Sequence, residues 1–166
     1  MSVKIRAAIP DDLAAIAEIY NQGIRSRLAT FETAERTVPD LQSGLGDPKH
    51  PLLVAEKGRQ VLGWIQASSY RPRVCYAGIA EFSVYVAETA RGQGIGDTLM
   101  TTFILACEQA GLWKLTSRIF PENTASRALC KRHGFREVGV YEKHGKLEGV
   151  WRDVVIVERL LESNLT

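Results

Sequence analysis

The sequence predicts an α/β protein in which a mixed sheet of α+β type, with about seven strands, carries about four helices on its two faces. Segments with the period-two alternation of strands and segments with helical periodicity follow one another along 166 residues. The predicted order is strand, helix, short helix, three strands, helix, strand, helix and two strands, which is not a run of regular βαβ units. The length is typical of one domain, so we expect a single domain over residues 1–166.

The first half of the chain contains the predicted elements up to the second hairpin strand. Pro10 and the two acids after it are typical of a helix N-terminus, and Leu13, Ile16 and Tyr20 share one face of that helix. The elements are a strand over 3–9, a helix over 10–24, a short helix over about 38–45 and a hairpin of two strands over 52–70.

The second half begins with the clearest strand pattern of the chain, over residues 77–89. Phe82 and Val84 point to one side of this strand, and Glu81 and Ser83 point to the other. The remaining elements are a helix from about Gly94 to Ala110 that Gly111 ends, a strand over 114–120, a helix over 123–134 and, over 135–161, two strands around the loop "EKHGKLEG".

Three glycines, Gly92, Gly94 and Gly96, stand in the segment "RGQGIG" at the start of the predicted third helix. Each glycine costs a helix about 1 kcal/mol relative to alanine, so this cluster needs a reason. The free N–H groups of a helix N-terminus attract anions, and glycines let an oxygen ligand approach closely. With the positive charge of Arg91, the segment predicts a site for a diphosphate. The structural alternative, a flexible turn or close helix–strand packing, explains one or two of the glycines.

The ending and the position of the glycine segment argue against two familiar nucleotide-binding classes. It lacks the GK[ST] ending of a P-loop. It follows the fourth predicted strand, whereas the glycines of a dinucleotide-binding fold usually follow the first strand. These two differences argue against a nucleotide triphosphatase and against a nicotinamide-dependent enzyme.

Composition and charge exclude further classes. Cys75, Cys107 and Cys130 are widely spaced, so neither a disulfide framework nor a metal site is indicated. A net charge of +2 gives no reason to expect nucleic acid or an anionic membrane as a partner. The apolar runs are too short to span a bilayer, and the first nine residues lack the apolar core of a signal peptide. We therefore expect a cytoplasmic protein.

The segment Arg91–Gly96 resembles the R/Q-x-x-G-x-G/A signature with which GCN5-related N-acetyltransferases (GNAT) bind the pyrophosphate of acetyl-CoA. The segments "EIYNQGI", "EFSVYV", "PENTAS" and "GVWRDVVIVERL" are similar to the phosphinothricin N-acetyltransferase branch. Others, such as "EKHGKLEGVWRDVVIVERL", look closer to arsinothricin N-acetyltransferases. The resemblance implies the GNAT acyl-CoA N-acyltransferase fold, acetyl-CoA as cosubstrate without a metal, a homodimer, and antibiotic resistance through acetylation of a small amino-acid analogue.

The resemblance also implies which residues bind acetyl-CoA. On the central strand, Val84 and Val86 would contribute backbone groups rather than side chains. For Asn123, a helix N-cap is the structural alternative. The implied residues are Val84, Tyr85, Val86, Arg91, Gly92, Gln93, Gly94, Ile95, Gly96, Asn123 and Ser126.

Glu81 is the candidate general base. An α-amine with an ordinary pKa of about 8 is mostly protonated at pH 7, and a carboxylate near the amine, directly or through one water, can remove the proton. Glu81 lies on the strand that leads into the glycine segment, where we expect apolar surroundings that favour proton uptake. The resemblance places the proposed base of the branch at this position. The alternative is a structural carboxylate that is paired or exposed.

The proton donor to the leaving thiolate is left open by the sequence. Many members of the superfamily have a tyrosine seven residues after the asparagine, whereas this chain has Cys130. A thiol can donate a proton, but a buried, inert cysteine is the alternative, and CoA can also leave without an acid.

The segment "SYRPRVCY" is the candidate acceptor site. Arg71 and Arg73 stand among tyrosines, and guanidinium groups bind carboxylates and other oxyanions in bidentate fashion. The resemblance places Arg73, Tyr76, Phe31 and Glu32 around the acceptor. The structural alternative for the arginines is a solvated hairpin.

These observations favour an N-acetyltransferase that acts on phosphinothricin, arsinothricin or methionine sulfoximine in a direct ternary complex. A protein or peptide N-acetyltransferase is the second enzyme hypothesis, and a non-catalytic CoA-binding sensor is the third. Glu81 discriminates against the sensor, because a sensor needs no acid on that strand.

Overall fold

The computed structural model describes residues 2–166 and is built around one sheet of seven strands. The strands are β1 (Lys4–Ala7), β2 (Leu52–Lys57), β3 (Gln60–Ser69), β4 (Ile79–Val86), β5 (Lys114–Ile119), β6 (Arg136–Leu147) and β7 (Val150–Leu160). The helices are α1 (Leu13–Ser26), α2 (Val38–Leu41), α3 (Ile95–Gln109) and α4 (Thr124–Arg132). The predicted fold class and the order of the elements are confirmed.

The sheet has the order β1-β2-β3-β4-β5-β7-β6 and is antiparallel except between β4 and β5. The parallel register of these two central strands runs from Ile79 opposite Lys114 to Glu81 opposite Thr116. Both strands continue past this register, so they diverge after Glu81 and leave a gap near the middle of the sheet.

The two faces of β4 pack against different helices, as the alternation predicts. On one face, the Phe82 ring lies 5.9 Å from the Phe103 ring of α3 and 5.2 Å from the Phe135 ring. On the other face, Tyr85 stacks on Tyr20 of α1 with 5.0 Å between the ring centroids. The helices therefore cover both faces of the sheet.

The Tyr85 ring fills the space that a side chain at position 23 of α1 would need. A Cβ atom at Gly23 would lie 2.5 Å from Cε1 of Tyr85, and the ring also stacks on Trp64 at 4.9 Å. Close contact between α1 and β4 therefore depends on glycine at position 23.

The prediction for the last loop of the chain is wrong. The sequence predicts that the polar segment "EKHGKLEG" separates the final two strands, but β6 runs through most of it. A register shift between Tyr141 and Gly145 takes up the extra residues, and the turn follows at Glu148 and Gly149, both with positive φ. Pairing with β7 therefore overrides the local preference of this segment for a loop.

Within residues 2–166, none of the helices is long and apolar enough to cross a membrane.

Candidate functional site

A cleft of about 530 Å³ lies beside the end of β4, between the starts of α3 and α4 and the end of α1. Ten of the residues predicted for the cosubstrate line it: Val84, Tyr85, Val86, Arg91, Gly92, Gly94, Ile95, Gly96, Asn123 and Ser126. The remaining one, Gln93, turns its side chain back, and its Nε2 donates to the carbonyl oxygen of Thr89 at 3.4 Å.

The three glycines of the loop have two different structural roles. Gly92 and Gly94 have φ angles of 76° and 77°, and a Cβ atom at either position would meet nothing within 4 Å. A Cβ atom at Gly96 would lie 3.3 Å from Cδ2 of Leu129, so this glycine lets the start of α3 pack against α4. Gly92 and Gly94 therefore allow the turn and leave the approach to the helix N-terminus open, where free N–H groups attract an anion.

An arginine that sequence reasoning missed, Arg132 at the end of α4, also lines this cleft. Its Nε and Nη2 atoms donate to the two carboxylate oxygens of Asp97, at 3.0 and 3.1 Å. These hydrogen bonds, and a further one with His133, hold the pKa of Asp97 below its ordinary value. The ion pair offsets the negative charge in the first turn of α3. No local sequence signal places the end of α4 beside the start of α3.

The backbone of β4 presents its free edge to the gap. The N–H of Ala87 donates to Leu62 on the β3 side, whereas the Ser117 hydroxyl of β5 donates to the carbonyl of Phe82 at 2.9 Å. Because successive residues of a strand alternate in direction, the backbone groups of Val84 and Val86 also point toward the β5 side. These are the groups that the family resemblance implies for the cosubstrate.

A second, smaller cavity extends from the end of β4 to the start of α4. About 60 Å³ in volume, it lies in the gap between β4 and β5 and is lined by Ser83, Ser117 and Arg118, among other residues. It shares Val84 and Asn123 with the larger cleft. The central gap of the sheet therefore continues the cleft toward the face that carries Glu81.

Glu81 lies on β4 with its side chain 30% exposed, and its Oε2 accepts a hydrogen bond from Nη2 of Arg118 at 3.2 Å. The expected apolar surroundings are therefore wrong, because a charged group faces the carboxylate. Arg118 stands two residues beyond Thr116, the partner of Glu81 in the parallel register, and so lies on the same face of the sheet. Sequence reasoning missed Arg118, because its closeness to Glu81 depends on pairing across 37 residues.

Asn123 is the N-cap of α4, since its Oδ1 accepts a hydrogen bond from the Ser126 N–H at 3.2 Å. This contact is the structural alternative stated for the asparagine. Both residues also line the cleft, so the cap holds two polar side chains at its wall.

Cys130 is buried, and burial raises the pKa of its thiol to about 12. The ordinary pKa of a thiol is about 8.5, so proton transfer from Cys130 to a leaving thiolate would be unfavourable. The structure therefore favours the inert alternative for this cysteine.

The residues predicted for the acceptor lie in two groups. In the loop after β3, the Arg71 guanidinium lies 5.0 Å from the Tyr70 ring centroid, and Tyr76 contacts the same ring edge-on at 5.8 Å. Arg73 is exposed at the start of the short 3₁₀ turn that contains Tyr76. This loop leads directly into β4 and Glu81.

The second group lies after α1. Phe31 packs edge-on against Phe120 at 4.8 Å, and a Cβ atom at Gly145 of β6 would lie 2.9 Å from the Phe31 ring. Glu32 forms an ion pair with Arg36 at 3.0 Å. The structure thus places Phe31 against the β6–β7 hairpin.

Within the part of the chain that the structure describes, no group of three or more His, Cys, Asp or Glu residues could hold a metal ion.

Comparison with protein families matches residues 13–135 to the acetyltransferase (GNAT) family. The chain is 37% identical to the phosphinothricin N-acetyltransferase of Alcaligenes faecalis, with 98% of this chain and 84% of the relative covered. It is 30% identical to the L-methionine sulfoximine/L-methionine sulfone acetyltransferase of Pseudomonas aeruginosa, with 98% and 96% covered.

Among solved structures, the fold is similar to a GNAT superfamily phosphinothricin acetyltransferase from Sinorhizobium meliloti, crystallised in complex with AcCoA. The TM-score is 0.90 at 29% identity, and the match covers 97% of this chain and 89% of that one.

Proposed function

Because the chain belongs to the acetyltransferase (GNAT) family, we propose that it transfers the acetyl group of acetyl-CoA to the α-amine of a small amino-acid analogue. The observation that carries this proposal is the cleft at the start of α3, where the open Gly92 and Gly94 positions meet the helix N-terminus. A relative of the same fold was crystallised with AcCoA.

In this proposal the pyrophosphate of acetyl-CoA lies against the first N–H groups of α3, with Arg91 supplying positive charge and Arg132 offsetting the negative charge of Asp97. The backbone groups of Val84 and Val86 bind the pantetheine arm in the gap beside β4, and Asn123 and Ser126 contact it from α4. The proposed reaction uses no metal ion.

The chemical step is a direct attack in a ternary complex. The amine nitrogen forms a bond to the thioester carbonyl carbon, and the C–S bond breaks. Glu81 takes one proton from the ammonium group, directly or through one water, so that the neutral amine can attack. The second proton, which the nitrogen loses as the amide forms, passes to solvent, and CoA leaves as a thiolate that takes its proton from solvent. Backbone N–H groups along the free edge of β4 stabilise the oxyanion.

For the acceptor, we propose phosphinothricin, arsinothricin or methionine sulfoximine. The first and third occur in the names of relatives, and arsinothricin rests on the segment resemblance. Each carries an α-amine, an α-carboxylate and a second polar head group, which suits the two arginines Arg71 and Arg73 beside Tyr76. Acetylation blocks the amine, so we expect the enzyme to confer resistance to such compounds. Three free cysteines agree with a cytoplasmic location.

We also propose a homodimer, for which β6 supplies a physical reason. This strand is the edge of the sheet and is exposed along most of its length, with Val138, Val140 and Tyr141 each about half exposed. A long exposed edge strand with apolar side chains is a site for pairing with another chain. A second copy of this chain is the proposed partner.

Incubation with acetyl-CoA and a panel of acceptors tests the function, with released thiol as the readout. We expect turnover with phosphinothricin-type amino acids and none with peptides that carry free N-termini. Turnover of the peptides alone would establish the protein acetyltransferase hypothesis instead. Tight binding of CoA without turnover of any acceptor would establish the sensor.

A further inference from the structure

The ion pair between Glu81 and Arg118 has little structural purpose. The Arg118 side chain is 54% exposed and that of Glu81 is 30% exposed, and pairs this exposed contribute little to stability. The pair is joined by a single hydrogen bond of 3.2 Å rather than by two parallel ones, so the other donors of the guanidinium stay available. A pair that contributes little to stability leaves both groups available to bind a ligand.

Arg118 keeps most of its hydrogen-bonding capacity free. A guanidinium has five N–H donors, and within residues 2–166 that of Arg118 donates to Glu81 alone. Arg118 lines the small cavity between β4 and β5, which shares Val84 and Asn123 with the larger cleft. The free donors therefore lie next to the place where the proposed acetyl donor and acceptor meet.

A neighbouring negative and positive charge is the complement of a zwitterion. In an α-amino acid, the ammonium group and the carboxylate are attached to the same carbon atom, so both must be received by neighbouring protein groups. Glu81 suits the ammonium group, which must lose a proton, and Arg118 suits the carboxylate, which it can bind with two parallel hydrogen bonds.

We propose that Arg118 binds the α-carboxylate of the acceptor and thereby holds its amine beside Glu81, an inference that rests on the proposed function. The head group at the far end of the acceptor is then left to Arg71 and Arg73 in the loop before β4. Arg118 is thus a specificity residue that selects α-amino acids over simple amines.

The test compares two acceptors that differ in one group: phosphinothricin, and the amine that remains when its α-carboxylate is replaced by hydrogen. We expect the wild-type protein to prefer phosphinothricin in kcat/KM by about tenfold to a hundredfold, the effect of one charged hydrogen-bonding contact. Arg118→Met abolishes this preference, and Arg118→Lys keeps part of it.

Arg71→Met is the matched control, because both acceptors retain the head group. It lowers kcat/KM for the two acceptors by the same factor and leaves the preference in place. CoA affinity and the melting temperature of each variant show that the fold and the cosubstrate site are intact.

An Arg118→Met variant that keeps the preference, or that loses activity equally with both acceptors, overturns the inference while the proposed function stands. The proposed function itself fails if the wild-type protein acetylates no amino acid, and the inference then fails with it. The two failures are therefore distinguished by the wild-type rate alone.

Discussion

At the scale of single residues, Gly94 combines a left-handed backbone conformation with a place in the wall of the cleft. It has a φ angle of 77° at the N-cap of α3, and it lines the cleft. Gly111, after the other end of the same helix, has a φ angle of 85° and equally open space around a Cβ atom. The two positions thus share the backbone requirement, and only the first lies where we place the pyrophosphate.

We predict that Gly94→Ala and Gly111→Ala each lower the free energy of unfolding by about 1–2 kcal/mol, the cost of a left-handed conformation for an L residue. Only Gly94→Ala should weaken CoA binding, by about tenfold or more, because its methyl group enters the space for the pyrophosphate. Urea denaturation and calorimetric titration with CoA measure the two effects. Equal CoA affinity in both variants would contradict the placement.

At the scale of elements, Asp12 joins β1 to the start of α1. Its side chain is only 6% exposed. The carboxylate accepts hydrogen bonds from Nη1 and Nη2 of Arg6, at 2.7 and 2.9 Å. It also accepts one from the Ile9 N–H at 2.8 Å. The hydrogen bonds from Arg6, assisted by that from Ile9, hold the pKa of Asp12 below its usual 3.8 despite the opposing effect of burial.

A lowered pKa in the folded state means that ionised Asp12 stabilises the fold above the unfolded pKa of about 4, and that this contribution is lost as the pH falls through the folded pKa. We predict that Asp12→Asn costs about 2 kcal/mol at pH 7 and that its difference from the wild type shrinks below about pH 4. Urea denaturation at pH 7, 5 and 3 measures this.

The control for this prediction is Asp40→Asn, since Asp40 is an exposed carboxylate hydrogen-bonded to Thr37. It should cost less than Asp12→Asn at pH 7. A difference between Asp12→Asn and the wild type that is the same at pH 7 and pH 3 would exclude the proposed role of the ionised carboxylate.

Elements whose signals are local could be predicted from the sequence. The alternation around Phe82 predicts a strand with two different faces, and the glycines of residues 92–96 predict a turn into a helix with an open anion site. Even so, local patterns predict a loop over residues 142–149 where β6 continues to Leu147, because pairing with β7 decides that segment.

Contacts between distant segments could not be predicted. Arg132 and Arg118 reach the site only because α4 packs on α3 and because β5 pairs with β4 at Glu81. A single sequence has no periodic signal for either contact. The aromatic stack on Tyr85 is hidden in the same way, since it depends on the approach of α1 at Gly23.

At the scale of the whole molecule, the exposed edge of β6 predicts a dimer. Val140 is 54% exposed there, and Leu105, on the outer surface of α3, is 55% exposed. We predict that the wild-type protein sediments as a dimer at micromolar concentration, that Val140→Lys shifts it toward the monomer, and that the matched change Leu105→Lys does not. A monomeric wild-type protein would contradict the proposed pairing.

The central claim is that the cleft beside β4 holds acetyl-CoA while Glu81 accepts the proton of the attacking amine. The most direct test is the turnover number of Glu81→Gln with phosphinothricin, measured together with its affinity for acetyl-CoA. General bases contribute about 10²–10⁴-fold, so we predict that kcat falls by at least about a hundredfold while the affinity for acetyl-CoA is unchanged. Full activity in Glu81→Gln would contradict the claim.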